Sequence, residues 1–312
     1  MNVPVFLSSD NNYAPFVATT IASICDNTKS FIEFYILDSG IFEENKEKIC
    51  SLKKQFPNFS IEFIEIDSKK IFDGIDYSTA QDYISISTYN RFLIPDLKPR
   101  INKALYSDVD VIFLNDIKKM YDEDLDNYII GAVWEKYIKQ EEVQKRINRL
   151  DLSQNCKWFS SGNLIIDCQK WREKNVTREL FNLIAEYNNK LVFHDMDILN
   201  KYFDVNYKLI DEKYCWLNQY YDFYGEPKEQ IVIRHFNGPT KPWQIRPIEG
   251  KVMPKNISDF WHYAKMTPYY EQLIEKCQKN VQESIRLVRI NEIINKNKDK
   301  KAIQKFINNN IE

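Results

Sequence analysis

Glycine is scarce in this chain, with 7 residues in 312. None of them builds Gly-x-Gly-x-x-Gly or Gly-x-x-x-x-Gly-Lys, which disfavours nicotinamide-type and P-loop nucleotide sites. Paired cysteines are missing too. Cys25, Cys50, Cys156, Cys168, Cys215 and Cys277 stand apart, without Cys-x-x-Cys spacing. That argues against a zinc site and for reduced thiols in a cytosolic protein. No apolar run is long enough to span a bilayer, and Met1 leads straight into a short strand pattern without a signal peptide. A cytoplasmic protein is expected. Neither sign of charge dominates: 43 basic and 45 acidic residues leave a net charge of -2, so no basic footprint points to nucleic acid.

What is present is apolar. Hydrophobic residues make up 44% of the chain, enough for the core of one large α/β domain. Val3-Pro4-Val5-Phe6-Leu7-Ser8 reads as a buried strand that ends in the polar turn Ser9-Asp10-Asn11-Asn12-Tyr13. Pro15 then sits where a first helical residue belongs, with Phe16, Val17, Thr20, Ile21 and Ile24 at helical spacing. Strand, polar loop and helix in this order begin a parallel sheet, whose ligands bind beyond the C-terminal strand ends. Phe34 to Leu37 and Ile61 to Ile66 read as further strands, with Glu43 to Leu52 as a helix between them. Ile71 to Tyr83 is irregular, and Thr88 to Ile94 reads as a helix carrying Arg91. Later strands are expected at Tyr128 to Val133, at Asn163 to Asp167 after a polar turn Ser160-Ser161-Gly162, and at Ile231 to Phe236. Helices are expected at Val176 to Tyr187, within Phe193 to Asn200, where the acids Asp195 and Asp197 open the helix, and at Asp259 to Lys265.

The stretch Ala104 to Phe113 carries two acids, Asp108 and Asp110, at the end of an apolar run. In extended chain, residues i and i+2 point to the same side. Two adjacent carboxylates repel unless a cation sits between them, and such a pair suits Mg2+ or Mn2+, the latter also accepting an imidazole. A metal held by Asp108, Asp110 and His235 would sit on a phosphate-bearing ligand, with Lys241 neutralising further phosphate charge. Asp195 and Asp197 could accept hydrogen bonds from sugar hydroxyls.

Taken together and in order, these motifs resemble glycosyltransferase family 8, in particular its bacterial lipopolysaccharide galactosyl- and glucosyltransferases. The residues that carry the resemblance are Ser9 to Tyr13, Ser87-Thr88-Tyr89-Asn90-Arg91, Tyr106-Ser107-Asp108-Val109-Asp110, Phe159-Ser160-Ser161-Gly162, Asp195 to Asn200, and His235-Phe236-Asn237-Gly238-Pro239-Thr240-Lys241-Pro242-Trp243. The resemblance implies a nucleotide-diphosphosugar transferase (GT-A) fold, with a mixed, mostly parallel sheet flanked by helices. It implies a UDP-sugar donor, Mn2+ (or Mg2+), and transfer of galactose or glucose with retention to a saccharide or lipid-linked acceptor. Asp108, Asp110 and His235 match the metal ligands. Asp10, Asn12 and Tyr13 match the uridine loop, Arg91 and Asp195 match donor-sugar contacts, and Ser9 matches a further donor-binding position. Val109, Ser160, Ser161, Asn237, Gly238 and Lys241 match further donor-binding positions, the last two in the diphosphate loop. Asp195, Met196 and Asp197 match the catalytic segment.

Two positions depart from the family pattern. Met196 replaces the glutamine of the usual Asp-Gln-Asp, and Ser160 replaces the asparagine before the glycine motif. A thioether has no amide carbonyl to face an oxocarbenium ion, so either front-face attack assisted by the leaving group or a compensating group such as Asp197 is implied. A non-catalytic UDP-sugar binder and a phosphatase of the haloacid dehalogenase type are the alternatives. Acceptor contacts are expected from Lys136 to Lys157 and Glu212 to Glu226, because acceptor pockets are built from variable loops. The chain is read as a domain over 1–280 and a helical tail over 281–312. That tail has a net charge of +3 and an apolar stripe at Leu287, Ile290, Ile293 and Ile294, suited to weak contact with a membrane surface.

Overall fold

The computed structural model describes residues 2–75, 86–225, 230–239, 241–247 and 253–277. A seven-stranded sheet forms its centre, in the order β3-β2-β1-β4-β7-β6-β8. The strands are β1 (Val3–Ser9), β2 (Ile32–Asp38), β3 (Phe59–Glu65), β4 (Lys103–Ser107), β6 (Ile130–Trp134), β7 (Phe159–Asp167) and β8 (Lys208–Ile210). β1, β2, β3 and β4 run parallel, β7 is antiparallel to both β4 and β6, and β8 is parallel to β6. A second sheet of three short strands joins β5 (Val111–Phe113), β10 (Ile233–His235) and β9 (Trp216–Leu217). The expected mixed, mostly parallel architecture is therefore present.

The apolar runs are long because the main sheet is covered on both faces. Along β1, Val3, Val5 and Leu7 enter one core while Phe6 enters the other. The same alternation places Leu105 in the first core, and Ala104 and Tyr106 in the second. The first core is shared with the helix Ala14–Asn27 and with Lys255–Ala264, the second with Val176–Tyr187 and Asp195–Phe203. Pro15 lies in the first turn of its helix. Asp10 accepts from the amides of Asn12 and Tyr13 just before it, which fixes the polar loop at the end of β1.

Three expectations change. Asp108-Val109-Asp110 is not extended chain: it is a bend at which the backbone leaves one sheet after Ser107 and enters the other at Val111. Ser160, Ser161 and Gly162 do not form a turn but lie, buried, inside β7. The helix around Arg91 is a 3-10 helix, Ile86–Leu93, followed by a short α-turn. Of the irregular stretch, Ile71 closes the short helix Ser68–Ile71 and Phe72 is buried; 76–85 lies outside the described residues, as does the tail 281–312. No helix among the described residues is long and apolar enough to cross a membrane. All six cysteines are free.

Candidate active site

The site forms where the two sheets meet. The chain leaves β4 at Ser107, turns through Asp108-Val109-Asp110, and enters β5. Three backbone-directed bonds hold that bend. The Asp108 amide donates to the Gly162 carbonyl (2.7 Å), the Phe236 amide donates to the Asp110 carbonyl (2.8 Å), and Thr20 donates to the Val109 carbonyl (3.1 Å). β10 runs antiparallel to β5 with His235 opposite Val111, which brings the imidazole beside both carboxylates. His235 Nε2 lies 3.2 Å from Asp110 and 3.8 Å from Asp108.

One ligand atom from each of Asp108, Asp110 and His235 lies within 4.8 Å of the others. Two carboxylates and an imidazole form a donor set for a hard or borderline divalent ion. Space around the set depends on Gly162. A Cβ there would stand 2.3 Å from His235 Cε1 and 2.8 Å from Asp108 Oδ2, so any side chain would push two ligands out of place. The residues present therefore fit a metal.

Cations close around the triad. Lys241 Nζ lies 2.6 Å from Asp110 Oδ2 and donates to the Phe236 carbonyl. Burial pushes the Asp110 carboxyl up, but Lys241 and then His235 outweigh it and hold the group far below the usual carboxylate range. Gly238, at φ +79°, turns the loop that delivers Lys241, a conformation that favours glycine. Beside it, the Asn237 side-chain oxygen is buried without a hydrogen-bond partner among the described residues. A lone buried acceptor costs free energy unless a donor reaches it.

On the other side Arg91 is buried, with its guanidinium 4.3 Å over the Tyr106 ring. It bonds Asp108 (2.9 Å), the Ser161 carbonyl (2.6 Å) and the Thr88 carbonyl (2.8 Å), and it lies 3.2 Å from Asp195. Tyr106 donates to the same oxygen of Asp108 (2.7 Å). Asp195 also accepts from Thr88 and Ser161. Burial raises its carboxyl above the ordinary value despite Arg91. Arg91, expected as a donor-sugar contact, is also the tie between the two acid motifs.

A cavity of about 620 Å³ collects these groups, within the size range of small-molecule sites. Ser9, Asp10, Asn12, Tyr13, Arg91, Asp108, Val109, Asp110, Ser161, Asp195, Met196, His235, Asn237, Gly238 and Lys241 all line it. Two candidates do not. Ser160 is buried behind the triad, next to Cys215. Asp197 is wholly buried and turned away: it takes both guanidinium nitrogens of Arg149 (2.6 and 2.9 Å) and the amides of Val192 and Phe193. It holds the start of the helix Asp195–Phe203 and cannot compensate for the missing amide from there. Met196 does face the cavity, and its sulfur accepts the indole N–H of Trp158 at 3.3 Å.

Sequence reasoning left several lining residues without a role. Thr88 and Tyr106 stood inside motifs already singled out. Arg146 and Gln219, which line the cavity, lie in the two segments expected to meet an acceptor. Glu135 follows directly on β6. It faces the cavity, buried, 3.8 Å from Arg146, and burial raises its carboxyl in spite of that arginine. The Arg146 guanidinium lies 4.7 Å from the Trp158 ring and 4.5 Å from the Phe193 ring. No local pattern marks Arg149, whose partner is 48 residues away.

This arrangement is that of a glycosyltransferase. The model of glycosyl transferase family 8 matches residues 4–246, and the chain belongs to that family. The family assignment removes the phosphatase alternative. A putative glycosyltransferase of Haemophilus influenzae is 32% identical over 246 residues, which cover 77% of this chain and 72% of that protein. A lipopolysaccharide 1,2-glucosyltransferase of Escherichia coli is 25% identical over 248 residues, 75% of this chain and 71% of the relative. The galactosyltransferase LgtC, solved in complex with donor and acceptor sugar analogs, superposes with a TM-score of 0.74 at 22% identity, covering 85% of this chain and 96% of that one.

Proposed function

We propose that this protein is a Mn2+-dependent hexosyltransferase that moves galactose or glucose, with retention, from a UDP-sugar to a saccharide acceptor of the lipopolysaccharide or lipooligosaccharide core type. Mg2+ is the alternative ion. The observation that carries the reading is the convergence of Asp108, Asp110 and His235 in one cavity with Lys241 on one side and Arg91 with Asp195 on the other. Asp108, Asp110 and His235 would hold the ion, which when bound supplies charge neutralisation for a diphosphate leaving group. Lys241 adds a fixed positive charge beside it, and the Asn237 and Gly238 loop closes on the same group. The polar turn Ser9 to Tyr13 at the end of β1 takes the nucleoside. Asp195, pinned by Arg91, Thr88 and Ser161, presents acceptor oxygens to donor-sugar hydroxyls.

No carboxylate or amide stands at position 196, and Asp197 is buried elsewhere. The reading is therefore front-face substitution. The bond from the anomeric carbon to the diphosphate oxygen breaks, the acceptor hydroxyl oxygen bonds the same carbon from the same face, and its proton passes to the departing diphosphate. Glu135, Arg146, Phe193 and Gln219 form the wall left over for the acceptor. The location is read as cytoplasmic, with the basic tail 281–312 giving weak, salt-sensitive contact with an anionic leaflet. Deleting the tail should lower binding to anionic vesicles and leave donor hydrolysis intact.

The deciding experiment is UDP release from UDP-galactose and UDP-glucose with Mn2+, beside donor binding measured alone. Release that stops in EDTA supports the transferase. Tight binding without release, with or without acceptor saccharides, supports the second reading, a UDP-sugar binder, which Met196 favours.

A further inference from the structure

A histidine can bind a metal through only one nitrogen at a time, and the other then carries the proton. In His235 the nitrogen facing Asp108 and Asp110 is Nε2. Ligation there requires a proton on Nδ1. The side chain is buried, so an Nδ1–H without an acceptor would cost free energy. Among the described residues the hydrogen-bond partner of Nδ1 is a thiol: Cys215 Sγ lies 3.6 Å from it.

That sulfur is itself held in place. Asn163 Nδ2 lies 3.6 Å from Sγ, and Ser160 Oγ lies 3.6 Å from it on β7. Asn163 is bonded in turn to Ser107 at 2.9 Å, the residue before the metal-type aspartate. Ser107, Ser160, Asn163 and Cys215 are all buried. Sulfur accepts from Asn163, and its own hydrogen has Ser160 as acceptor. Its remaining acceptor capacity faces Nδ1. The network joins the end of β4, the middle of β7 and the entry to β9, the elements around the triad.

We propose that Cys215 is the positioning residue of the metal site: its sulfur accepts the Nδ1–H of His235 and so keeps Nε2 free to bind the ion. This rests on the metal reading above. It also gives Ser160 a role. The serine found where the family pattern has asparagine supports the thiol from behind and does not touch the donor.

The test uses the full-length protein with Mn2+ and UDP as probes. Proton-detected 15N spectra of the Mg2+- and UDP-loaded wild type should show His235 protonated at Nδ1. Cys215→Ala should weaken Mn2+ binding, followed by electron paramagnetic resonance with UDP present, by about ten- to a hundredfold. Cys215→Ser, which keeps an acceptor, should stay much closer to wild type. A proton found on Nε2 of the loaded wild type, or Mn2+ affinity unchanged in Cys215→Ala, overturns the proposal. The spectrum decides even where a variant does not fold. If His235→Ala also leaves Mn2+ binding unchanged, the metal reading itself has failed; if only His235→Ala weakens it, the fault lies with the thiol alone.

Discussion

The chain contains two Asp-x-Asp pairs at the site, and they behave in opposite ways. Asp108 and Asp110 both reach the cavity, while of Asp195 and Asp197 only the first does. The spacing is the same and the backbone differs. Asp108 to Asp110 turns between two short strands, and both carboxylates come round to His235. Asp195 and Asp197 sit in the first turn of a helix, where residues two apart point to nearly opposite sides. One therefore faces the cavity, and the other faces inward to Arg149. An acid pair in sequence is a pair in function only where the backbone lets it be.

Breaking the second pair should cost the fold. Asp197→Ala leaves Arg149 without its carboxylate and strands the amides of Val192 and Phe193. The expected loss is about 3 kcal/mol, in the range for breaking one side of a buried ion pair, read by urea denaturation. Arg149→Met in the Asp197→Leu background should recover part of it, since an apolar pair can replace a buried ionic one. A fully stable Asp197→Ala variant would show that the inward carboxylate does not hold the helix start.

Breaking the first pair should cost the chemistry. Asp110→Ala removes a ligand and the partner of Lys241 and should lower the turnover rate on the order of a hundredfold, about 2.7 kcal/mol of barrier, while circular dichroism still shows the folded protein. Retained turnover, or full turnover in EDTA, would defeat the metal reading. Between these extremes stands Gly162→Ala. The added methyl meets His235 and Asp108 at less than van der Waals distance, and overpacking of this kind costs about 1–3 kcal/mol. The variant should lose Mn2+ affinity with a smaller loss of stability than Asp197→Ala, measured by metal titration beside thermal unfolding.

Much of this was legible in the residues. Strand, loop and helix at the N-terminus, the first acid pair, the His235 to Trp243 loop and the helix Val176–Tyr187 all follow from local pattern. What was not legible depends on tertiary contact. The break at Asp108-Val109-Asp110 is invisible because both sides of it are apolar strand. Ser160 and Ser161 look like a turn, since their polarity is explained only by Cys215, Arg91 and Asp195, which approach from elsewhere. Asp197 looked like a sugar ligand because its partner lies in a different helix, Gln140–Leu150.

The smallest effect is expected inside the second pair, at Met196. Its sulfur already satisfies the Trp158 indole at 3.3 Å, and Phe193 meets that ring edge to face while Arg146 lies over both. Met196→Gln preserves length and adds an amide, whose oxygen is a stronger acceptor than a thioether. The indole N–H would therefore capture that oxygen and turn it away from the reacting sugar. UDP-sugar turnover should stay similar to wild type or fall a few-fold, about 1 kcal/mol at most by the rate relation. Adding Trp158→Phe removes the competing donor, so any help an amide can give should emerge only in the double variant. A clear gain in the single variant would mean that the site still awaits the amide, and that the thioether marks a weakened enzyme instead of an adapted one.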